Sequence, residues 1–159
     1  MCEALAELTD LALADLCRLN NDHAVETSYL AEPELARLLS IAFYACGYSG
    51  PAAFLIAFDQ SAPYVNQNFQ FFQQRFEQFV YIDRVITASY ARRRGLARKL
   101  YEDLFARARA AGHSTVGCEV NLDPPNEASD AFHANLGFEE VGRSRLNNGK
   151  TVRYLQRVL

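Results

Sequence analysis

The stretch FVYIDRVITASYARRRGLARKLYEDLFARARAAG, residues 79–112, contains two different periodicities joined by a basic, glycine-bearing turn. Residues 79–87 are β-branched and aromatic and predict a strand. From Leu96 onward, Leu96, Leu100, Leu104 and Ala108 recur at four-residue spacing, and Ala97, Tyr101 and Phe105 widen the stripe. That pattern predicts a helix with its charges facing away from the core and a C-terminal cap at Gly112. A glycine at the first helical turn after a strand aims unpaired backbone N–H groups and the positive end of the helix dipole at whatever lies above them, which suits a phosphate. Gly95 and Ala97 are small enough for close approach, and Arg92, Arg93, Arg94 and Arg98 add charge at the same spot. The turn is not a P-loop, since no Gly-Lys-Ser/Thr follows, and it lacks the first two glycines of a dinucleotide fingerprint. Taken alone it reads equally well as a solvated basic turn.

Upstream of this stretch, residues 2–9 predict a short strand and Asp10 a cap for a helix over 11–21, in which Leu11, Leu13, Leu16 and Leu19 lie near one face. A second helix begins near Pro33 and continues through ELARLLSIAF. FYACGYSGPAAFLIAFD reads as a hairpin turning at Ser49 and Gly50. Residues 60–78 are rich in Gln, Asn and Phe. Phe69, Phe72 and Phe76 recur at helical spacing, giving a helix whose aromatic face packs into a core, a reading compatible with its forming one wall of a substrate pocket. Downstream, STVGCEVNL is a strand, NEASDAFHANLGF a helix ending at Gly137, and RSRLNNGKTVRYL a hairpin turning at Asn148 and Gly149.

Composition limits the function classes. The 159 residues are half apolar, enough for one domain spanning 1–159 with its own core. A formal charge of −3 argues against nucleic acid held by bulk charge. Cys2, Cys46, Cys17 and Cys118 show no zinc-like pair spacing and read as reduced thiols, so no metal is expected. Glu3 and Glu7 stand where a signal peptide would be basic, and no apolar run reaches membrane-spanning length, which predicts a cytoplasmic protein without a membrane partner.

RRRGLA, 92–97, matches the Arg/Gln-x-x-Gly-x-Gly/Ala pyrophosphate signature of the GCN5-related N-acetyltransferase (GNAT) superfamily, and NEASDAFHANLGF resembles that superfamily's second motif of Asn, small residue, aromatic and Gly-Phe. The resemblance covers residues 79–142, with the two motifs in order, and more loosely the N-terminal half. It implies an α/β fold of the α+β kind: a mixed, mostly antiparallel sheet, splayed between its fourth and fifth strands, with helices on both faces.

The same resemblance implies a site for acetyl-CoA as co-substrate. Backbone N–H groups from Arg93 through Arg94, Gly95, Leu96 and Ala97 to Arg98 would hold the pyrophosphate, and Arg92, Arg93 or Arg94 the 3′-phosphate. Val85, Ile86 and Thr87 would pair with the pantetheine arm as an added strand does. Asn126 and Ser129 would contact that arm, with Phe132 beside it; Asn126 also reads as an ordinary helix N-cap. Glu119 resembles the general base of enzymes that acetylate ribosomal-protein N-termini, although two extra residues separate it from the following asparagine; Asp83 is its rival. A glutamate on an apolar strand is costly to bury, and a raised pKa would suit a base. His133 occupies the place where the superfamily commonly has a tyrosine that protonates the departing thiolate, and reads either as that acid or as a polar contact at the sulfur end.

For the acceptor, the segment LNNDHAVETSYL, 19–30, would line the groove opposite the cofactor, with Asn21, His23 and Glu26 as candidate contacts beside Asn20 and Thr27; any one of them also reads as plain loop polarity. The expected activity is acetyl transfer to a primary amine of a small molecule or peptide by direct attack in a ternary complex. The alternative is a CoA-binding sensor or regulator with weak turnover. Exposed strand edges and the final hairpin could pair two chains into a homodimer.

Overall fold

The protein is described by a computed structural model covering residues 2–5 and 10–159. Along the chain the elements are β1 (Glu3–Ala4), α1 (Asp10–Asp22), α2 (Glu32–Ile41), β2 (Tyr44–Tyr48), β3 (Ala53–Asp59), α3 (Gln67–Gln73), β4 (Val80–Thr87), α4 (Leu96–Ala110), β5 (Thr115–Asp123), α5 (Glu127–Asn135), β6 (Glu139–Arg145) and β7 (Thr151–Val158). Of the strand expected over 2–9, Glu3–Ala4 pairs with β2, while residues 6–9 lie outside the described residues, as do the side chains of Asp10 and Leu11 and hence the expected cap.

The strands form one sheet in the order β1-β2-β3-β4-β5-β7-β6. Every pair is antiparallel except β4 with β5, which run parallel and meet only at Val80↔Val116 and Tyr81↔Gly117. On its other side β4 is paired with β3 along its length, from Asp59↔Val80 to Ala53↔Thr87. β5 is likewise paired with β7 from Thr115↔Val158 to Asp123↔Thr151. Beyond Tyr81 the two central strands therefore diverge, and the inner edge of β4 over 82–87 has no strand partner among the described residues. The expected splay between the fourth and fifth strands is present. At the point of divergence a Cβ on Gly117 would lie 2.2 Å from the Phe72 ring, so only glycine lets α3 press against this place.

β3 shows why its sequence is an unbroken apolar run. Phe54, Ile56 and Phe58 enter the core beneath α1, α2 and α3, while Ala53, Leu55 and Ala57 enter the opposite core beneath α4. Strand side chains alternate between faces, and a strand covered on both sides needs apolar residues at every position. α4 buries Leu100, Tyr101, Leu104, Phe105 and Ala108, the stripe read from the sequence. In α3, Phe69 and Phe72 are fully buried, each contributing about 2 kcal/mol by removal from water; Phe76 lies past the helix and is half-buried. The aromatic segment is thus a core helix, and Asn66, Gln67 and Asn68 at its start face the cleft described next.

Candidate active site

The divergence of β4 and β5 opens a cleft whose two ends are chemically different. At one end, a cavity of about 310 Å³ is lined by Thr87, Ala91, Arg92, Arg93, Gly95, Leu96, Ala97, Arg98, Phe132 and Asn135. Its floor is the start of α4. Gly95, the N-cap, has φ 72° and ψ 15°, and Arg93 also has positive φ, at 64°. The first helical bond runs from Lys99 N to Gly95 O, at 3.1 Å, so the N–H groups of Leu96, Ala97 and Arg98 have no partner within the helix. Three arginines around unpaired N–H groups and a helix N-terminus suit a diphosphate. Arg94 is exposed and outside this lining.

The other end is a larger cavity of about 390 Å³ between the unpaired edge of β4 and the outer half of β5. Val85 lines it from β4, Asn126, Ser129 and His133 from the side of α5, and Glu26, Thr27 and Ser28 from the side of the α1–α2 connection. Asn66, Gln67 and Asn68 enter from the start of α3, and Asn147, Asn148 and Lys150 from the β6–β7 turn. Lys150 Nζ donates to Val25 O at 2.9 Å, and Asn147 N to Gln67 Oε1 at 3.4 Å, so the final hairpin is tied to both neighbouring walls. Ile86 is buried in the core beneath α1–α3, so only its backbone is available on the open edge.

Glu119 lies between these walls. Its Oε2 accepts from Tyr81 Oη at 2.7 Å and its Oε1 from Asn68 Nδ2 at 3.1 Å, while Asn68 Oδ1 accepts from Tyr154 Oη at 2.9 Å. Burial pushes the Glu119 pKa up to about 8; the Tyr81 hydrogen bond opposes the shift and Asp83 adds to it. This carboxyl therefore holds its proton until mildly alkaline pH and can exchange it there. Asp83 is differently placed. It accepts from Tyr64 Oη at 2.5 Å and is ion-paired with Arg84 Nε at 2.7 Å, both charged side chains being buried. A proton taken up there would leave the buried Arg84 guanidinium without its ion-pair partner, which favours Glu119 over Asp83 as a proton acceptor.

His133 is buried in an aromatic box of Tyr101, Phe132 and Phe138. Its Nδ1 lies 2.7 Å from Ser129 O, and a carbonyl can only accept, so the ring proton is on Nδ1. Nε2 then accepts from Tyr101 Oη at 2.8 Å. Burial lowers the His133 pKa, against the opposing influence of the Ser129 carbonyl and Asp130, so the neutral ring is favoured. Asn126 Oδ1 caps α5 by accepting from Ser129 N at 3.2 Å.

Two acceptor candidates lie off the cleft. Asn21 bonds the backbone of Leu30 in both directions, at 2.9 Å each, and so clamps the α1–α2 connection. His23 donates from Nδ1 to Leu19 O at 3.0 Å and accepts from Arg92 Nη2 at 3.3 Å, facing the arginine turn. Glu26 does line the cleft. Sequence reading missed Tyr81, Asn68 and Tyr101. Nothing in periodicity separates a core tyrosine from one whose hydroxyl meets a carboxylate, although the Asn and Gln among the phenylalanines of α3 hinted at a polar wall.

The splayed, mostly antiparallel sheet with its parallel β4–β5 pair is the fold the two sequence motifs implied. The chain belongs to the acetyltransferase (GNAT) family, whose sequence profile matches residues 53–138. No curated protein matches the chain. Among solved structures, it is similar over its whole length to a chain of the NatC complex bound to Gag peptide and CoA (16% identity, 98% of that chain, TM-score 0.74). A ribosomal-protein-alanine N-acetyltransferase from Brucella melitensis matches with 20% identity over 100% of this chain and 99% of that one, TM-score 0.71. An aminoglycoside 6′-N-acetyltransferase complexed with coenzyme A matches with 13% identity over 99% of this chain and 96% of that one, TM-score 0.72. At these identities the likeness is one of fold. Among the described residues, no helix is long and apolar enough to cross a membrane.

Proposed function

We propose that this protein moves an acetyl group from acetyl-CoA to a primary amine of a small molecule or peptide, by direct attack with both substrates bound. The observation that carries the reading is Glu119: a carboxyl with its pKa near 8, in a cleft that continues along the unpaired β4 edge toward the arginine-lined start of α4. Acetyl-CoA supplies the activated thioester. The chain's residues have four tasks. The N–H groups of Leu96, Ala97 and Arg98, with Arg92, Arg93 and Arg98 side chains, bind the diphosphate. The β4 edge at Val85–Thr87, with Asn126, Ser129 and Phe132, aligns the pantetheine arm. Glu119 takes the proton that the amine sheds as the C–N bond forms and the C–S bond breaks. The fourth task is a proton for the departing thiolate, which Tyr101 Oη of the Tyr101–His133 pair at the sulfur end would supply, the tyrosine being reprotonated from solvent. His133, with its proton on Nδ1 toward Ser129 O, accepts from Tyr101 Oη through Nε2 and so positions it; the hydroxyl must turn out of that bond to reach the sulfur.

The amine would enter from the face formed by Glu26–Ser28 and the β6–β7 turn, where Glu26 favours a cation before it loses its proton. Similar folds serve both peptide and aminoglycoside acetyltransferases, which supports an amine acceptor of either kind. The test is calorimetric titration with acetyl-CoA beside ATP, then a thiol-release assay across amines and N-terminal peptides. The expected result is acetyl-CoA binding that ATP does not match and turnover with at least one amine, reduced about a hundredfold or more in Glu119→Gln. Binding with no turnover across the panel would favour the sensor; no binding would overturn both.

A further inference from the structure

Away from the cleft, three ligand-type side chains from distant parts of the sequence converge where β1 meets α4. Cys2 precedes β1, Cys46 lies in β2 opposite Ala4, and Asp103 stands on the third turn of α4. Cys2 Sγ, Cys46 Sγ and an Asp103 carboxylate oxygen all lie within 4.8 Å of one another. Cys2 Sγ is 3.5 Å from Asp103 Oδ2. A tetrahedral zinc with bonds of about 2.3 Å to sulfur and about 2.0 Å to oxygen holds such a pair roughly 3.5 Å apart.

The surroundings fit a ligand set. Asp103 Oδ2 accepts from Tyr44 Oη at 2.9 Å and from Arg107 Nε at 3.1 Å, outer contacts of the kind that orient a ligating carboxylate. With both thiols deprotonated by a bound metal, two thiolates and a carboxylate beside one guanidinium sum to −2, the charge a divalent cation cancels. Cys46 is buried while Cys2 and Asp103 are half-buried, so the cluster is closed on the sheet side and open on the other for a fourth ligand such as water. Soft sulfur donors select zinc over magnesium or calcium.

We propose that Cys2, Cys46 and Asp103 form a site for a thiophilic divalent cation of the zinc class, which fastens the N-terminal strand to α4. The 43 residues between Cys2 and Cys46 hide the site from spacing rules, because β1–β2 pairing brings the thiols together, not a short knuckle. Binding displaces thiol protons and is therefore tighter at higher pH.

The test uses the reduced, chelator-treated full-length protein, titrated with Zn2+ by calorimetry and with Co2+ by absorbance. Expected are one equivalent bound, a near-ultraviolet thiolate-to-cobalt charge-transfer band, and a thermal midpoint that rises with metal concentration. Cys46→Ser should lose the band and weaken binding by at least about tenfold, the lower end of what losing even an outer contact costs. Because Cys46 is buried, Cys2→Ala provides a second variant at a half-exposed position, with the same loss expected. Absence of the band in the wild type, or a band undiminished in Cys2→Ala, overturns the proposal. Neither readout depends on acetyl transfer, so this site stands or falls separately from the activity.

Discussion

Glu119 links the chemistry of the cleft to stability through one proton. The folded protein holds that proton up to about pH 8, whereas the unfolded chain releases it in the ordinary carboxylate range. Between those values the folded form binds more protons, so this group makes stability fall as pH rises toward 8. Glu119→Gln stays neutral throughout and should lose less stability than the wild type over that window, in urea titrations at pH 5 and pH 9. Activity follows the opposite sense, because only the ionised carboxylate accepts a proton. The wild-type kcat/KM should climb to a plateau above about pH 8, and Glu119→Gln should lose that limb. Tyr101 makes a second residue-scale prediction. Tyr101→Phe removes the donor to His133 Nε2 and leaves a buried acceptor unpaired, at a cost of about 1–3 kcal/mol. If Tyr101 meets the sulfur end, kcat falls while KM for the amine holds; a purely structural tyrosine would change the melting temperature with kcat per folded molecule unaltered.

At the scale of elements, the start of α4 is entered through two positive-φ residues, Arg93 and Gly95. A Cβ added at Gly95 would have nothing within 4 Å, so the position is not crowded; what a side chain meets there is the left-handed backbone at φ 72°. Gly95→Val therefore acts by strain of roughly 1–2 kcal/mol, which the chain can relieve by turning the N–H groups of the first turn away from the diphosphate. The variant should fold with a modestly lower melting temperature and bind acetyl-CoA at least tenfold more weakly in calorimetry, a loss of about 1.4 kcal/mol. Undiminished affinity would remove the anion-binding role of this turn. α3 shows a different division within one element: Phe69 and Phe72 hold it to the core, and Asn66 caps it, accepting from Asn68 N at 2.9 Å and Phe69 N at 3.2 Å. The cap places Asn68 against Glu119, so a turn-forming residue and a cleft residue are coupled two positions apart.

Across the whole molecule, a buried polar chain joins the sheet to the acceptor face. Arg84 reaches from Asp83 to Asn20 Oδ1, at 2.7 Å, and Asn20 Nδ2 donates to Ser28 O at 2.8 Å in the α1–α2 connection. Asn20 is fully buried, so it anchors the connection and does not contact an acceptor. Arg84→Ala leaves Asp83 buried without its cation and should destabilise the protein by about 3–5 kcal/mol, read in thermal melts. In the folded fraction, release of Glu26–Ser28 should raise KM for the amine more than KM for acetyl-CoA; equal change in both would detach this chain from acceptor binding.

The local signals in the sequence were sufficient for most elements and for the glycine-bearing turn that forms the candidate anion site. Strand alternation, the Leu96–Ala108 stripe and the glycine-bearing turn are all readable within a dozen residues, because the physics that sets them is local: pleat, helical pitch and backbone freedom at Gly95. RRRGLA and NEASDAFHANLGF placed the family for the same reason. Contacts between distant segments decided the rest. Only the fold could set Tyr81 and Asn68 against Glu119 and raise its pKa, bring Tyr101 Oη onto His133 Nε2, move Asn21 and His23 off the cleft, and gather Cys2, Cys46 and Asp103. Apart from the short-range bonds of Asn21 and His23, these depend on desolvation or hydrogen bonding between residues far apart in the chain, and such energies exist only once the sheet has brought those residues together.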